Sequence, residues 1–92
     1  NAPAAQRWKV KLLASGWEDL TQTVYIEGIS ADEGEQLIQP VPTSASFGAY
    51  AQAEIHVSQS LNQLTFTCKE PPLSDLDLYV IIQNLGGEAH GV

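Results

Sequence analysis

The stretch SFGAYAQAEIHVSQSLNQLTFTC, residues 46–68, changes periodicity partway along, and that change decides the fold. From Ser44 or Ser46 onward, Phe47, Tyr50, Ala51 and Ile55 recur at helical spacing, with Ser46 placed as an N-cap. This predicts one or two helical turns, weakened by Gly48. Beyond Ala53 the pattern is strict alternation. Ile55 and Val57 fall on one side and His56 on the other, and after a turn containing Asn62 the residues Leu64, Phe66 and Cys68 alternate with Thr65 and Thr67. Period-2 alternation on both sides of a short polar turn predicts a β-hairpin with one buried face.

The segments before and after the hairpin agree with it. In RWKVKLLA (7–14), Trp8, Val10 and Leu12 alternate with Lys9 and Lys11, a strand with one face inward. Ser15 and Gly16 break that strand, and WEDL reads as an irregular link. TQTVYIEG (21–28) sets Val24 and Ile26 against Thr23, Tyr25 and Glu27, and Gly28 ends it. ISADEGEQ (29–36) reads as a turn. Leu37 and Ile38 then predict a short strand stopped by Pro40 and Pro42. KEPPLSD (69–75) is a rigid connection. LDLYVIIQ (76–83) begins in alternation and becomes apolar on both sides at Val80, Ile81 and Ile82, as expected for a central strand or one buried at an interface. Six strand-like runs and one brief helix, with no βαβ unit, predict an all-β fold, an antiparallel β-sandwich of the immunoglobulin-like or jelly-roll-like kind. The expected organisation is a linker remnant over residues 1–7, a β-sandwich over 8–84 and a flexible tail over 85–92, within a chain that opens on NAPAAQ and reads as a piece of something longer.

At 92 residues the chain is one domain that buries about 60–65% of its unfolded surface, enough to fold alone with little margin. Eleven acids against four Lys and Arg give a net charge of −7, which repels phosphate backbones and argues against nucleic acid as a partner. No apolar run approaches the roughly 20 residues of a membrane-spanning helix, so no membrane insertion is expected. The single Cys68 has no partner for an internal disulfide and reads as a small core hydrophobe.

Reactive groups do not assemble in the sequence. Asp32, Glu33 and Glu35, with Glu27 just before them, match no EF-hand register and read as a solvated turn. Asp75 and Asp77 have the spacing of paired carboxylates, but two acids on a solvent-facing strand edge explain them more simply. His56 lacks a second ligand two residues away. His90 sits in a glycine-rich tail, and Gly86 and Gly87 lack the setting of a phosphate loop. Among the aromatics, Trp17 and Tyr25 fall outside the core pattern and are the candidates for stacking on a sugar ring. The expectation is a protein that is not an enzyme and uses no cofactor or metal.

The order of these pieces resembles a small domain found at the ends of head-fibre and other virion fibre proteins of tailed bacteriophages. The plan of that family is a KVTL…GW opening, a QTVxVxGVTAD strand and turn, a P.P.S...Y..A helical stretch and an LTFTC…P..DLxVxVxI close. Matching it here are Lys9 to Leu12 with Gly16 and Trp17, Gln22 to Asp32 with Gly28, Pro40, Pro42, Tyr50 and Ala53, and then Leu64 to Cys68, Pro71, Asp75, Leu76 and Ile81. The likeness spans about residues 8–82. LYVII is bulkier than the family's usual closing strand, and the tail after Asn84 has no counterpart. The resemblance implies a structural protein on the surface of a phage particle, a homotrimer that attaches to its host by many weak contacts. The partners it implies are further copies of the chain, capsid or tail proteins and host surface glycans. The alternative reading is an immunoglobulin-like or carbohydrate-binding module of a bacterial surface protein or phage lysin. The apolar surplus of the last strand and helix singles out Phe47, Tyr50, Tyr79 and Ile81 as the expected oligomer interface.

Overall fold

A computed structural model describes residues 5–84 of the chain. Six strands form two three-stranded antiparallel sheets. Sheet A has the order β1 (Ala5–Leu12), β6 (Leu76–Asn84), β3 (Gln36–Pro42). Sheet B has the order β2 (Thr21–Tyr25), β5 (Gln63–Thr67), β4 (His56–Ser60). One helix, α1 (Phe47–Gln52), leads from β3 in sheet A to β4 in sheet B. The pairings nest, β2 with β5 inside β1 with β6, so the chain wraps between the layers, and of the six strands β4 and β5 are the pair joined by a tight hairpin. This is the all-β sandwich that the alternation predicts.

The core follows from period 2. In β6 the even residues Leu76, Leu78, Val80 and Ile82 point inward, and in β5 Leu64 and Phe66 face them, with Cys68 just beyond the strand; all are buried. Val10 and Leu12 of β1, together with Ile26 and Ile29, complete the buried cluster. Each fully buried large aliphatic or aromatic side chain contributes roughly 1.5–3 kcal/mol relative to exposure.

Asn62 secures the hairpin tip to the neighbouring loop. It takes a left-handed conformation (φ 59°), which asparagine tolerates better than most residues. Its amide donates to the Ile29 carbonyl at 2.9 Å, its carbonyl accepts from Ile26 at 3.0 Å, and its Oδ1 accepts from the Gly28 amide at 2.9 Å. These bonds hold Ile26 and Ile29 over the core. The loop turns at Gly28 with φ 101°, a conformation that favours glycine.

Four expectations change. First, β3 runs through Pro40 and Pro42 instead of stopping before them. It is an edge strand, and its odd positions bond to β6, as the Thr43 amide shows by donating to the Asp77 carbonyl at 3.0 Å. The two prolines therefore lie at positions whose nitrogens point away from the sheet, where a missing N–H costs no ladder bond. Second, Ser46 makes no side-chain N-cap bond. Its hydroxyl accepts the Asp77 amide proton at 2.9 Å instead. Third, residues 5–7 are not linker: Ala5, Gln6 and Arg7 pair with Gln83, Ile82 and Ile81, so the strand begins before the alternation becomes legible. Fourth, Trp17 is half-buried and packs against the core, which removes it from the sugar-stacking candidates. The tail assigned to residues 85–92, with His90, lies outside the described residues.

Candidate surfaces for association

The outer faces of the two sheets differ in kind. On sheet A, the odd residues of β6 point outward, so Asp77, Tyr79, Ile81 and Gln83 form its midline. Directly opposite on β1 stand Lys11, Lys9, Arg7 and Ala5, and on β3 stand Val41, Gln39 and Leu37. Residues opposite each other in an antiparallel pair share a face and touch. Tyr79 thus lies between Lys9 and Val41, and Ile81 between Arg7 and Gln39. The Arg7 guanidinium sits 5.2 Å from the centre of the Tyr79 ring, within cation–π range. Lys11 Nζ is 3.4 Å from Asp77 Oδ1.

Tyr79 and Ile81, both expected at an interface, are half-buried neighbours on this face. Leu37 and Val41, 49% and 40% exposed, extend the apolar patch to the β3 side. Val41 is hidden in the sequence because it lies between two prolines that read as a strand stop. Arg7 is hidden because the alternation becomes legible only after it. The other two expected interface residues sit on α1, which begins just after Ser46 and hence beside the Asp77 end of β6. Phe47 is 61% exposed, whereas Tyr50 packs against the core and burial raises the pKa of its phenol.

The outer face of sheet B carries Thr21, Thr23 and Tyr25 of β2, Gln63, Thr65 and Thr67 of β5, and His56, Ser58 and Ser60 of β4. No Asp, Glu, Lys or Arg occurs in these three strands. Thr23 and Thr65 hydroxyls lie 3.3 Å apart across the ladder. Tyr25, 67% exposed, stands at one end beside Gln63.

The candidate reactive groups have other partners. Asp75 Oδ1 accepts from the Ala14 amide at 2.8 Å, which ties the start of β6 to the end of β1. Asp77 pairs with Lys11. In the acidic turn, Asp32 Oδ1 accepts from the Gly34 amide at 2.8 Å and Glu35 Oε1 from the Ser30 hydroxyl at 2.6 Å. Among the described residues no group of three His, Cys, Asp or Glu side chains is placed to hold a metal ion. Cys68 is buried with its thiol pKa raised by desolvation.

Shallow clefts open among the described residues. One of about 360 Å³ lies between the end of α1 and the segment Glu70–Ser74. Another of about 290 Å³ opens between the β3 and β4 edges over Leu64. Neither gathers an acid, a base and a nucleophile.

No family model, no curated protein and no solved structure matches the chain.

Proposed function

We propose that the chain is a non-catalytic structural and adhesive domain of a bacteriophage virion fibre. It self-associates through the outer face of sheet A, as a homotrimer, and presents sheet B and its loops to the host surface. The observation that carries this reading is the row formed by Leu37, Val41, Tyr79 and Ile81, apolar side chains on a sheet face that no other element of the described chain covers. A single layer of core needs one inward face per sheet, and β6 already supplies it with its even residues. An outward apolar row of this kind marks an interaction surface. Closed cyclic symmetry gives it a finite set of partners, and several copies on one particle convert weak contacts into durable attachment.

A second reading, a carbohydrate-binding module, draws on Tyr25, an exposed aromatic on a charge-free hydroxyl face. Light scattering on the isolated chain separates the two. The fibre reading expects a trimer at tens of micromolar. A monomer at that concentration favours the binding module.

A further inference from the structure

Three of the four Lys and Arg residues in this acidic chain lie on β1 at outward positions, Arg7, Lys9 and Lys11. Among the described residues the only acid sharing their face is Asp77, and it is engaged by Lys11. Neither Arg7 nor Lys9 belongs to an ion pair among the described residues. The fourth cation, Lys69, lies off this face with its Nζ 3.9 Å from Glu54. Sheet A therefore shows a basic strip along one side and an apolar strip, Leu37 and Val41, along the other, in a chain whose net charge is −7.

Resting on the self-association proposed above, we infer that this face is charge-matched to a second copy of the chain. The β1 side of one copy lies against the β3 side of the next. Two alternatives are disfavoured by elementary electrostatics. Stacking β1 on β1 sets Arg7, Lys9 and Lys11 against themselves, and like charges brought together at an interface oppose association. A polyanion meets the field of a chain with net charge −7. Stacking β1 on β3 instead sets the cations against Leu37, Gln39 and Val41 and brings them toward the turn that precedes β3, where Asp32, Glu33 and Glu35 are exposed. The long stems of Lys and Arg pack on apolar surface while their charged ends reach the acids. Strand addition at the β3 edge is hindered as well, because Pro40 and Pro42 remove donors from it, so a neighbour that meets the β3 side meets its face.

The test is sedimentation of the full chain at tens of micromolar with single charge reversals. Lys9→Glu and Arg7→Glu are expected to weaken association by about tenfold or more, since each turns a matched contact into a repulsive one. Lys69→Glu changes the net charge equally but off the face, and is expected to stay within about twofold of the unaltered chain. Glu33→Lys together with Glu35→Lys is expected to weaken association alone and to restore it when mixed with Lys9→Glu.

If the unaltered chain associates but Lys69→Glu weakens it as much as Lys9→Glu, or neither reversal at Arg7 or Lys9 matters, the charge-matched arrangement is wrong while self-association stands. A chain that is monomeric throughout overturns both. Retention of the unaltered chain on dextran sulfate, lost in Lys9→Glu, assigns the face to a polyanion and likewise overturns the inference.

Discussion

Ser46 holds Asp77: the serine hydroxyl accepts the Asp77 backbone proton at 2.9 Å, and the Thr43 amide three residues earlier donates to the Asp77 carbonyl at 3.0 Å. The turn between β3 and α1 thus continues the sheet A ladder after β3 ends. The hydroxyl is enclosed, because Ser46 is buried. Ser46→Ala leaves the Asp77 N–H without its partner, a loss expected to cost about 1–3 kcal/mol. Urea unfolding followed by circular dichroism reads this directly. A midpoint equal to that of the unaltered chain means that the bond contributes nothing.

The Asp19–Leu20 turn stores strain that a substitution should release. Glu18 and Thr21 exchange both backbone hydrogen bonds at 2.9 Å, and the two residues between them have φ of 52° and 67°. This is the hairpin turn whose central residues both require positive φ, where Asn-Gly and Asp-Gly are preferred. Leucine in the left-handed region costs about 1–2 kcal/mol, partly offset on replacement by the larger unfolded-state freedom of glycine. Leu20→Gly is therefore expected to be at least as stable as the unaltered chain. The β-branched Leu20→Val is expected to be less stable by about 1–3 kcal/mol. Equal midpoints for the two variants would show that the turn relaxes around its side chain.

These two sites mark where the sequence stops being readable. Alternation in β1, β5 and β6 is legible because a strand between core and solvent must repeat every second residue, and Val10, Leu12, Leu64, Phe66 and the even residues of β6 obey that rule. Pro40 and Pro42 misled because their effect depends on which side of β3 faces a neighbour, a property of the sheet order that the sequence does not carry. Ser46 misled for a related reason: a serine before a helix has its own cap within reach, but here the distant Asp77 amide takes the hydroxyl. Tyr79 and Ile81 were legible as an apolar surplus. That Tyr79 stands beside Val41 and under Arg7, and Ile81 between Arg7 and Gln39, follows only from the register.

Cys68 and Tyr50 make stability fall at alkaline pH. Burial raises the pKa of both groups, so the folded chain keeps its protons where the unfolded chain releases them. For groups with raised folded values the contribution is fully present below the unfolded pKa and is lost as pH rises through the folded one. The ordinary values are about 8.5 for a thiol and about 10 for a phenol, so the decline should begin near pH 8.5 and steepen near 10. Cys68→Val should remove the earlier part and keep the later one. In the same pH range the native thiol is expected to react slowly with a thiol reagent and quickly after denaturation. Rapid labelling of the folded chain would place Cys68 at the surface.

The outer face of sheet A should control assembly without controlling the fold. Tyr79 and Ile81 point away from the core, and their neighbours on β6, Leu78, Val80 and Ile82, supply the inward packing. A lysine at either position keeps the strand's inner face intact and places a charge on the apolar row. Covering one large apolar side chain contributes roughly 1.5–3 kcal/mol, and a closed assembly loses that amount once in every subunit when the residue is replaced. Ile81→Lys also sets a cation directly opposite Arg7, and Tyr79→Lys removes the ring over which Arg7 lies while adding a charge opposite Lys9. Both variants are expected to be monomers at concentrations where the unaltered chain is assembled, with the same β-type circular dichroism spectrum. Tyr25→Lys on sheet B is expected to assemble as the unaltered chain does, since its face is the one left open. Assembly that survives both sheet A variants but fails with Tyr25→Lys would move the interface to sheet B.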